Sequence, residues 1–252
     1  MIEVQGLGKR FGDAQVLSGI DALFRKGIVN QIIGRSGSGK SVLAKCIVGL
    51  HRPEEGRVLY EGRSFLDMDF EERRQVRQRI GMLFQGSALF DSLTVLQNVM
   101  FPLRMFGAMA RSEMEDRAHE CLKRVRIVDK DRLYPAELSG GMQKRVGIAR
   151  AIAMEPRYLF CDEPNSGLDP QTAIVIDDLI KEITEELQTT TVVITHDMNS
   201  VMETGEHILF IHQGRKWWEG DRDALLSSDN VELNDFVFAG SLMRQVKKAM
   251  GR

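Results

Sequence analysis

A short, mostly apolar run, IVNQII at 28–33, passes directly into GRSGSGKS at 34–41, and behind it Val42, Leu43, Cys46, Ile47 and Leu50 recur at helical spacing. This succession of strand, glycine-rich loop and helix constrains the fold more than any other feature, because it places a backbone turn and a helix N-terminus at the carboxyl end of a buried strand. Gly34, Gly39, Lys40 and Ser41 satisfy the pattern G-x-x-x-x-G-K-[ST]. Glycines at these places let successive N–H groups wrap a triphosphate, and the helix N-terminus adds partial positive charge. Lys40 can reach the outer phosphates and Ser41 can ligate Mg²⁺. Gly34, Arg35, Ser36, Gly37, Ser38, Gly39, Lys40 and Ser41 are therefore the candidate phosphate cradle.

The chain has 252 residues, 43% of them hydrophobic and only six prolines, which is enough to bury one sizeable core. Lys and Arg number 34 against 36 Asp and Glu, so the overall basic field that favours nucleic acid is missing. Cys46, Cys121 and Cys161 are widely spaced among apolar neighbours, a pattern of reduced thiols and not of a disulfide framework. The start, MIEVQGLGKRFGD, lacks the basic and apolar regions of a signal peptide, and no apolar run approaches the ~18 to 20 residues of a membrane span. Any membrane role is expected to come through another chain.

The opening IEVQGLGKRF and QVLSGIDALF alternate with period two, predicting an antiparallel edge region. The region from about 86 to 154 reads as mostly helical, with Ser112 expected as the N-cap of a helix whose stripe is Met114, Ala118, Cys121, Leu122 and Val125. Buried strands return in RYLFCDE, ending at 163, and TTTVVITH, ending at 196. Between them Asp169 and Pro170 mark a helix start. HILFIHQGRKWWEG reads as a final hairpin in which Trp217 and Trp218 are ordinary strand residues. Strands alternating with helices predict an α/β fold with a parallel-sheet core and its ligand site at the carboxyl ends of the strands.

Asp162, Glu163, His196 and Gln85 all fall at such ends. A carboxylate there can hold Mg²⁺ (Asp162), its neighbour can polarise an attacking water (Glu163), and His196 can contact a γ-phosphate. The Gln85 amide can touch the metal or the water. Alone, Asp162 and Glu163 read better as a solvated strand end, His196 as a residue satisfying a local hydrogen bond, and Gln85 carries no signal; the cradle at 34–41 is what gives them weight together. A second glycine-rich helix start, ELSGGMQKR at 137–145, raises the question of why one chain carries two.

With GRSGSGKS, Gln85, LSGGMQ, YLFCDEP, SGLD and His196 in this order, the chain resembles the ATP-binding cassette ATPases over residues 1 to 225. The resemblance implies a nucleotide-binding domain over 1–228, with a core of 1–85 and 155–228, an N-terminal antiparallel β subdomain and an inserted helical subdomain over about 86–154; beyond it the residues themselves predict a helical tail over 229–252. It implies ATP and Mg²⁺ as cofactors, with Ser41, Gln85 and Asp162 as metal ligands and Glu163, His196 and Gln85 in catalysis. Phe11 would stack on adenine, where the family more often has tyrosine. It also implies a homodimer in which Ser139, Gly140 and Gly141 meet the ATP of the partner subunit, and a loop at Asp169 that crosses the dimer. Met142 stands where the general signature has glutamine.

The stretches MLFQGSALFDSLTVLQNVMFPLR at 82–104 and LSGGMQKRVGIARAIAMEP at 138–156 are similar to the ATPases of Mla-type lipid-trafficking systems, which work with an integral-membrane permease and Mce-domain proteins. That likeness implies phospholipid trafficking from the cytoplasmic face of a bacterial inner membrane, with membrane contact through the permease only. An importer of another small solute, or a soluble non-transport ATPase, is the alternative. The apolar segment after Gln85 is expected to form a groove for a helix of the membrane partner. Phe236, Phe238, Leu242 and Val246 are expected to line one face of a tail helix, packed either on a neighbouring subunit or on the chain's own domain.

Overall fold

The structure, a computed structural model, describes residues 1–107 and 109–240. In chain order the elements begin with β1 (Ile2–Phe11), β2 (Ala14–Phe24), β3 (Val29–Ile33), α1 (Lys40–Ile47), β4 (Glu55–Tyr60), β5 (Arg63–Ser64), α2 (Phe70–Gln78) and β6 (Ile80–Leu83). The helical stretch holds α3 (Val95–Phe106), α4 (Arg111–Arg124) and α5 (Gly140–Ile152). There follow β7 (Tyr158–Asp162), α6 (Pro170–Leu187), β8 (Thr190–Thr195), α7 (Met198–Thr204), β9 (His207–His212), β10 (Arg215–Gly220), α8 (Arg222–Ser227) and α9 (Val231–Val237). None of the described helices is long and apolar enough to cross a membrane.

The described residues divide into two compact units, one of 1–25, 29–67 and 194–240, the other of 26–28, 68–107 and 109–193. In the first, β1 pairs antiparallel with both β2 and β4, and β5 completes a four-stranded sheet. The period-two alternation at the N-terminus is thus an antiparallel sheet, interrupted by bulges between Val4 and Arg10. Strands β10, β9 and β3 also belong here, with β3 parallel to β9 and β10 closing the expected hairpin. Every residue of β3 is buried, so its two polar members turn to partners within the protein, although Gln31 Oε1 meets no donor. Asn30 exchanges hydrogen bonds with the backbone of Arg25 and meets His207, and Gln31 donates to Ser200 and Thr204.

A core of Ile33, Val201, Ile208, Phe210, Leu225, Leu233, Val237 and Phe238 joins β3 and β9 to the last helices, with Phe236 and Trp218 packed against it. Phe236 and Phe238 therefore pack on their own unit. Leu242 and Val246 lie outside the described residues. Trp217 is a partly exposed strand residue whose Nε1 donates to Glu232 at 3.1 Å.

In the second unit β6 runs parallel to β7, and β8 leads the chain out of it, the division falling between Val193 and Ile194. The helical stretch forms as expected, but α4 starts earlier than its apolar stripe indicates. Its N-cap is Ala110, with Glu113 reaching back to the Ala110 N–H at 2.8 Å, so Ser112 lies inside the helix. Ala118, Cys121, Leu122 and Val125 are buried as predicted. All three cysteines are buried, and burial pushes the Cys46 thiol up to about 11 and the Cys161 thiol up to about 12.

Candidate functional site

In the first unit the loop after β3 is a close-fitted cradle. Gly34 has φ 151°, and a Cβ there would stand 2.3 Å from the Ile211 carbonyl oxygen and 2.8 Å from Ser38 Oγ. Gly39 has φ 103°, and its Cβ would meet Leu17 at 2.7 Å. No other residue type fits either place without displacing backbone or core. The turn between β9 and β10 braces the loop, since Gly214 N donates to Ser38 O at 3.1 Å and Gly214 O accepts from Ser18 N at 2.9 Å.

Gly39 is also the N-cap of α1, and no side chain caps that helix. Helix starts usually carry such an acceptor, so this one is arranged for an anion supplied from outside. Lys40 is buried beneath the loop, with Nζ donating to Gly34 O at 2.8 Å and Arg35 O at 3.1 Å. Ser38 Oγ is buried with no partner, an unmet polar atom facing the same cradle. Arg35, Ser36 and Gly37 form its exposed crest, and Ser41 is the second residue of α1. These features fit a bound polyphosphate.

Phe11 ends β1 and is 46% exposed, which leaves surface for a base to stack on. His51 meets it edge-on at 5.3 Å and Lys9 lies 5.0 Å from its centroid. Sequence reasoning did not select His51, because a lone histidine after a helix carries no signal. His196 follows β8 and is exposed. The next residue, Asp197, caps α7 by accepting from Asn199 N at 2.9 Å.

In the second unit the register of β6 on β7 pairs Leu83 with Cys161, so Gln85 and Glu163 each stand two residues beyond paired positions. Asp162 ends β7 and is buried, as is Glu163, whose φ of 49° is left-handed. Gln85 is exposed in side chain, and its carbonyl accepts from Lys144 Nζ. Lys144 also donates to the Glu163 carbonyl at 3.3 Å. Desolvation lowers the Lys144 pKa, while the nearby Glu163 and Asp162 carboxylates oppose that shift.

Ser139 is the N-cap of α5, its Oγ accepting from Met142 N at 3.3 Å. Gly140 is exposed, and Gly141 is packed so closely on α6 that a Cβ would stand 2.4 Å from Thr172 Cγ2. Asp169 caps α6 through Thr172 N at 3.0 Å and Thr172 Oγ1 at 2.6 Å, and these bonds hold its carboxyl below the usual range. The second glycine-rich helix start is thereby fixed against the start of α6, with Ser139 and Gly140 presented outward.

The same unit holds an apolar cavity of about 740 Å³ whose lining includes Phe84, Phe90, Phe101, Pro102, Phe106 and Arg150. Arg150 donates to Ser87 O and Ala88 O, both at 2.7 Å, and stands over the Phe90 ring at 5.9 Å. Part of the apolar segment after Gln85 therefore lines a groove. Leu89 is half-buried and is not one of its lining residues. Lys144 and Arg150 escaped sequence reasoning because basic residues in a helix ordinarily lie on a solvated face.

A family model described as "ABC transporter" matches residues 17–166. The chain is 40% identical over 240 residues to the methionine import ATP-binding protein MetN of Rhizobium johnstonii, covering 95% of this chain and 66% of that protein. It is 35% identical over 236 residues to the probable ribonucleotide transport ATP-binding protein mkl of Mycobacterium leprae, covering 94% of this chain and 68% of that protein. The dimeric post-hydrolysis structure of the ATP-binding cassette MJ0796, bound to ADP and Pi, superposes with a TM-score of 0.79 at 35% identity, covering 88% of this chain and 98% of that one. The chain belongs to the ABC transporter family and is an ATP-hydrolysing cassette that uses ATP with Mg²⁺.

Proposed function

We propose that this cassette is the ATPase subunit of a membrane transporter, that two copies close around two ATP molecules, and that closing and reopening drive an integral-membrane permease. The groove walled by Phe84, Phe90 and Phe106 is the observation that carries the permease reading, because an apolar cavity of about 740 Å³ fits one face of a short partner helix. The dimer reading draws support from the outward Ser139 and Gly140 and from the dimeric state of the MJ0796 cassette.

Within each ATP site, Gly34 to Ser41 cradle the phosphates and Phe11 stacks on the base. Ser41, Gln85 and Asp162 would hold Mg²⁺ through their oxygens, the hard donors that ion prefers, and the ion would supply neutralising charge at the phosphates. Glu163 accepts a proton from the attacking water and His196 contacts the γ-phosphate. Ser139, Gly140 and Gly141 contact the partner's ATP and Asp169 shapes the loop that crosses the dimer. Residues 1–228 act as the cassette, with 86–154 as its helical subdomain.

The transported class we propose is phospholipid, moved between bacterial membranes together with an Mce-domain protein, from the cytoplasmic face of the inner membrane. Its support is the likeness of 82–104 and 138–156 to lipid-trafficking ATPases, including Met142 in the signature. A second reading, import of a small solute, is favoured by the identity to a methionine import protein. Purifying the cassette with its permease in mild detergent and identifying the co-purified ligand by mass spectrometry tests the two. Bound phospholipid together with lipid-stimulated ATPase supports the first. Stimulation by methionine or another small solute in the absence of lipid replaces it with the second.

A further inference from the structure

Helix α5 carries more than the serine and glycines of its first turn. Lys144 is only 5% exposed, and both of its hydrogen-bond acceptors are main-chain carbonyls, those of Gln85 and Glu163. Burying an ammonium is costly, and a position that only had to be filled would be met by an uncharged chain of the same length. The two acceptors belong to the residues just past β6 and β7 that stand at matching register. Glu163 has the left-handed φ of 49°, a conformation disfavoured for a residue with a Cβ and maintained only where its surroundings determine it. The bond from Lys144 to the Glu163 carbonyl is one such determinant.

We propose that Lys144 is a positioning residue for ATP hydrolysis: it fixes the Glu163 peptide, and so the direction of the carboxylate, and it ties that peptide to the Gln85 loop and to the signature helix. Movement of α5, whose first turn faces outward, then reaches the Gln85 and Glu163 backbones through one ammonium group. Six residues further along α5, Arg150 binds the carbonyls of Ser87 and Ala88, so the helix grips the 85–88 loop at two places. The proposal rests on the reading of Glu163 as the base.

The test compares Lys144→Met, which keeps length without a donor, Lys144→Gln, which keeps a donor without charge, and Glu163→Gln. Each is assayed for kcat, KM for Mg·ATP, nucleotide affinity and Tm. The expected result for Lys144→Met is a fall in kcat of about tenfold or more with KM and affinity within about threefold of wild type, and partial recovery in Lys144→Gln. That split distinguishes positioning from packing, which would lower Tm and disturb binding and turnover together. Wild-type kcat in Lys144→Met overturns the proposal, as does joint loss of Tm, binding and turnover without recovery in Lys144→Gln. If Lys144→Met does not fold, Lys144→Gln decides by the same split, and failure of both to fold assigns the residue to packing. Wild-type turnover in Glu163→Gln defeats the base reading itself. An inactive Glu163→Gln beside a fully active Lys144→Met defeats only the role of Lys144.

Discussion

Arg150 Nη2 lies 2.7 Å from the carbonyl oxygen of Ser87, and its Nη1 lies the same distance from that of Ala88. Both acceptors belong to residues with positive φ, 60° and 46°, so one guanidinium holds two consecutive left-handed residues in place. Desolvation lowers the Arg150 pKa, which marks the group as withdrawn from water. Arg150→Met is expected to lower stability by about 2 kcal/mol, the worth of hydrogen bonds to a charged group. Urea unfolding measures it, and an unchanged midpoint would show that the loop holds itself.

Docking at the groove is tested by Phe106→Glu. Phe106 is 49% exposed, so the chain should fold normally, with Tm within a few degrees of wild type. A carboxylate in the apolar wall should weaken permease binding through its desolvation cost. Normal pull-down of the permease by a folded Phe106→Glu variant would remove the groove from the docking reading.

Glu163→Gln should bind ATP as wild type does while turnover falls by roughly 10² to 10⁴, the range for loss of a positioned general base. The variant should accumulate as an ATP-bound dimer on size exclusion. Steady-state ATPase within about tenfold of wild type would take the role of base from Glu163.

For the cradle, Gly34→Ala is the sharpest probe. The added Cβ would stand 2.3 Å from the Ile211 carbonyl oxygen at a φ of 151°, so the loop has to move. ATP binding should fall by about tenfold or more, in line with roughly 1–3 kcal/mol for such backbone strain, while the far-UV spectrum persists. Wild-type affinity by calorimetry would contradict the fitted cradle.

The outward signature turn is tested by mixing subunits. Lys40→Ala and Ser139→Arg homodimers should each be nearly inactive. A mixed dimer pairs the intact cradle of the Ser139→Arg chain with the intact signature of the Lys40→Ala chain, giving one whole site. Differently tagged chains verify exchange, and recovered ATPase or trapped ATP in the mixed dimer is the expected result. With exchange verified, absence of both would show that the signature serves its own chain.

Much of this was legible because local rules decided it. The β3, cradle and α1 succession follows from glycine placement, and the start of α6 follows from Asp169 and Pro170, whose cap bonds form as expected. The start of α4 was misplaced because Ser112 resembles an N-cap, whereas the acceptor for the Ala110 N–H is the Glu113 side chain. Lys144 was missed for a different reason. Its acceptors lie 59 and 19 residues away, so only the pairing of β6 with β7 brings them together, and no local pattern encodes that pairing. The Glu163 backbone likewise could not be read from YLFCDEP, since nothing in that run requires a left-handed residue.

The burial of Cys46, Cys121 and Cys161 has a practical outcome for watching the cassette at work. A thiol pushed up to about 12, like that of Cys161, is almost wholly protonated at neutral pH, and maleimide reagents attack the thiolate. The native chain is therefore a dark background. A cysteine introduced at exposed Tyr134 or Val128 can carry a spin label or fluorophore without any native thiol being removed, and the distance between two such labels can report the nucleotide cycle directly.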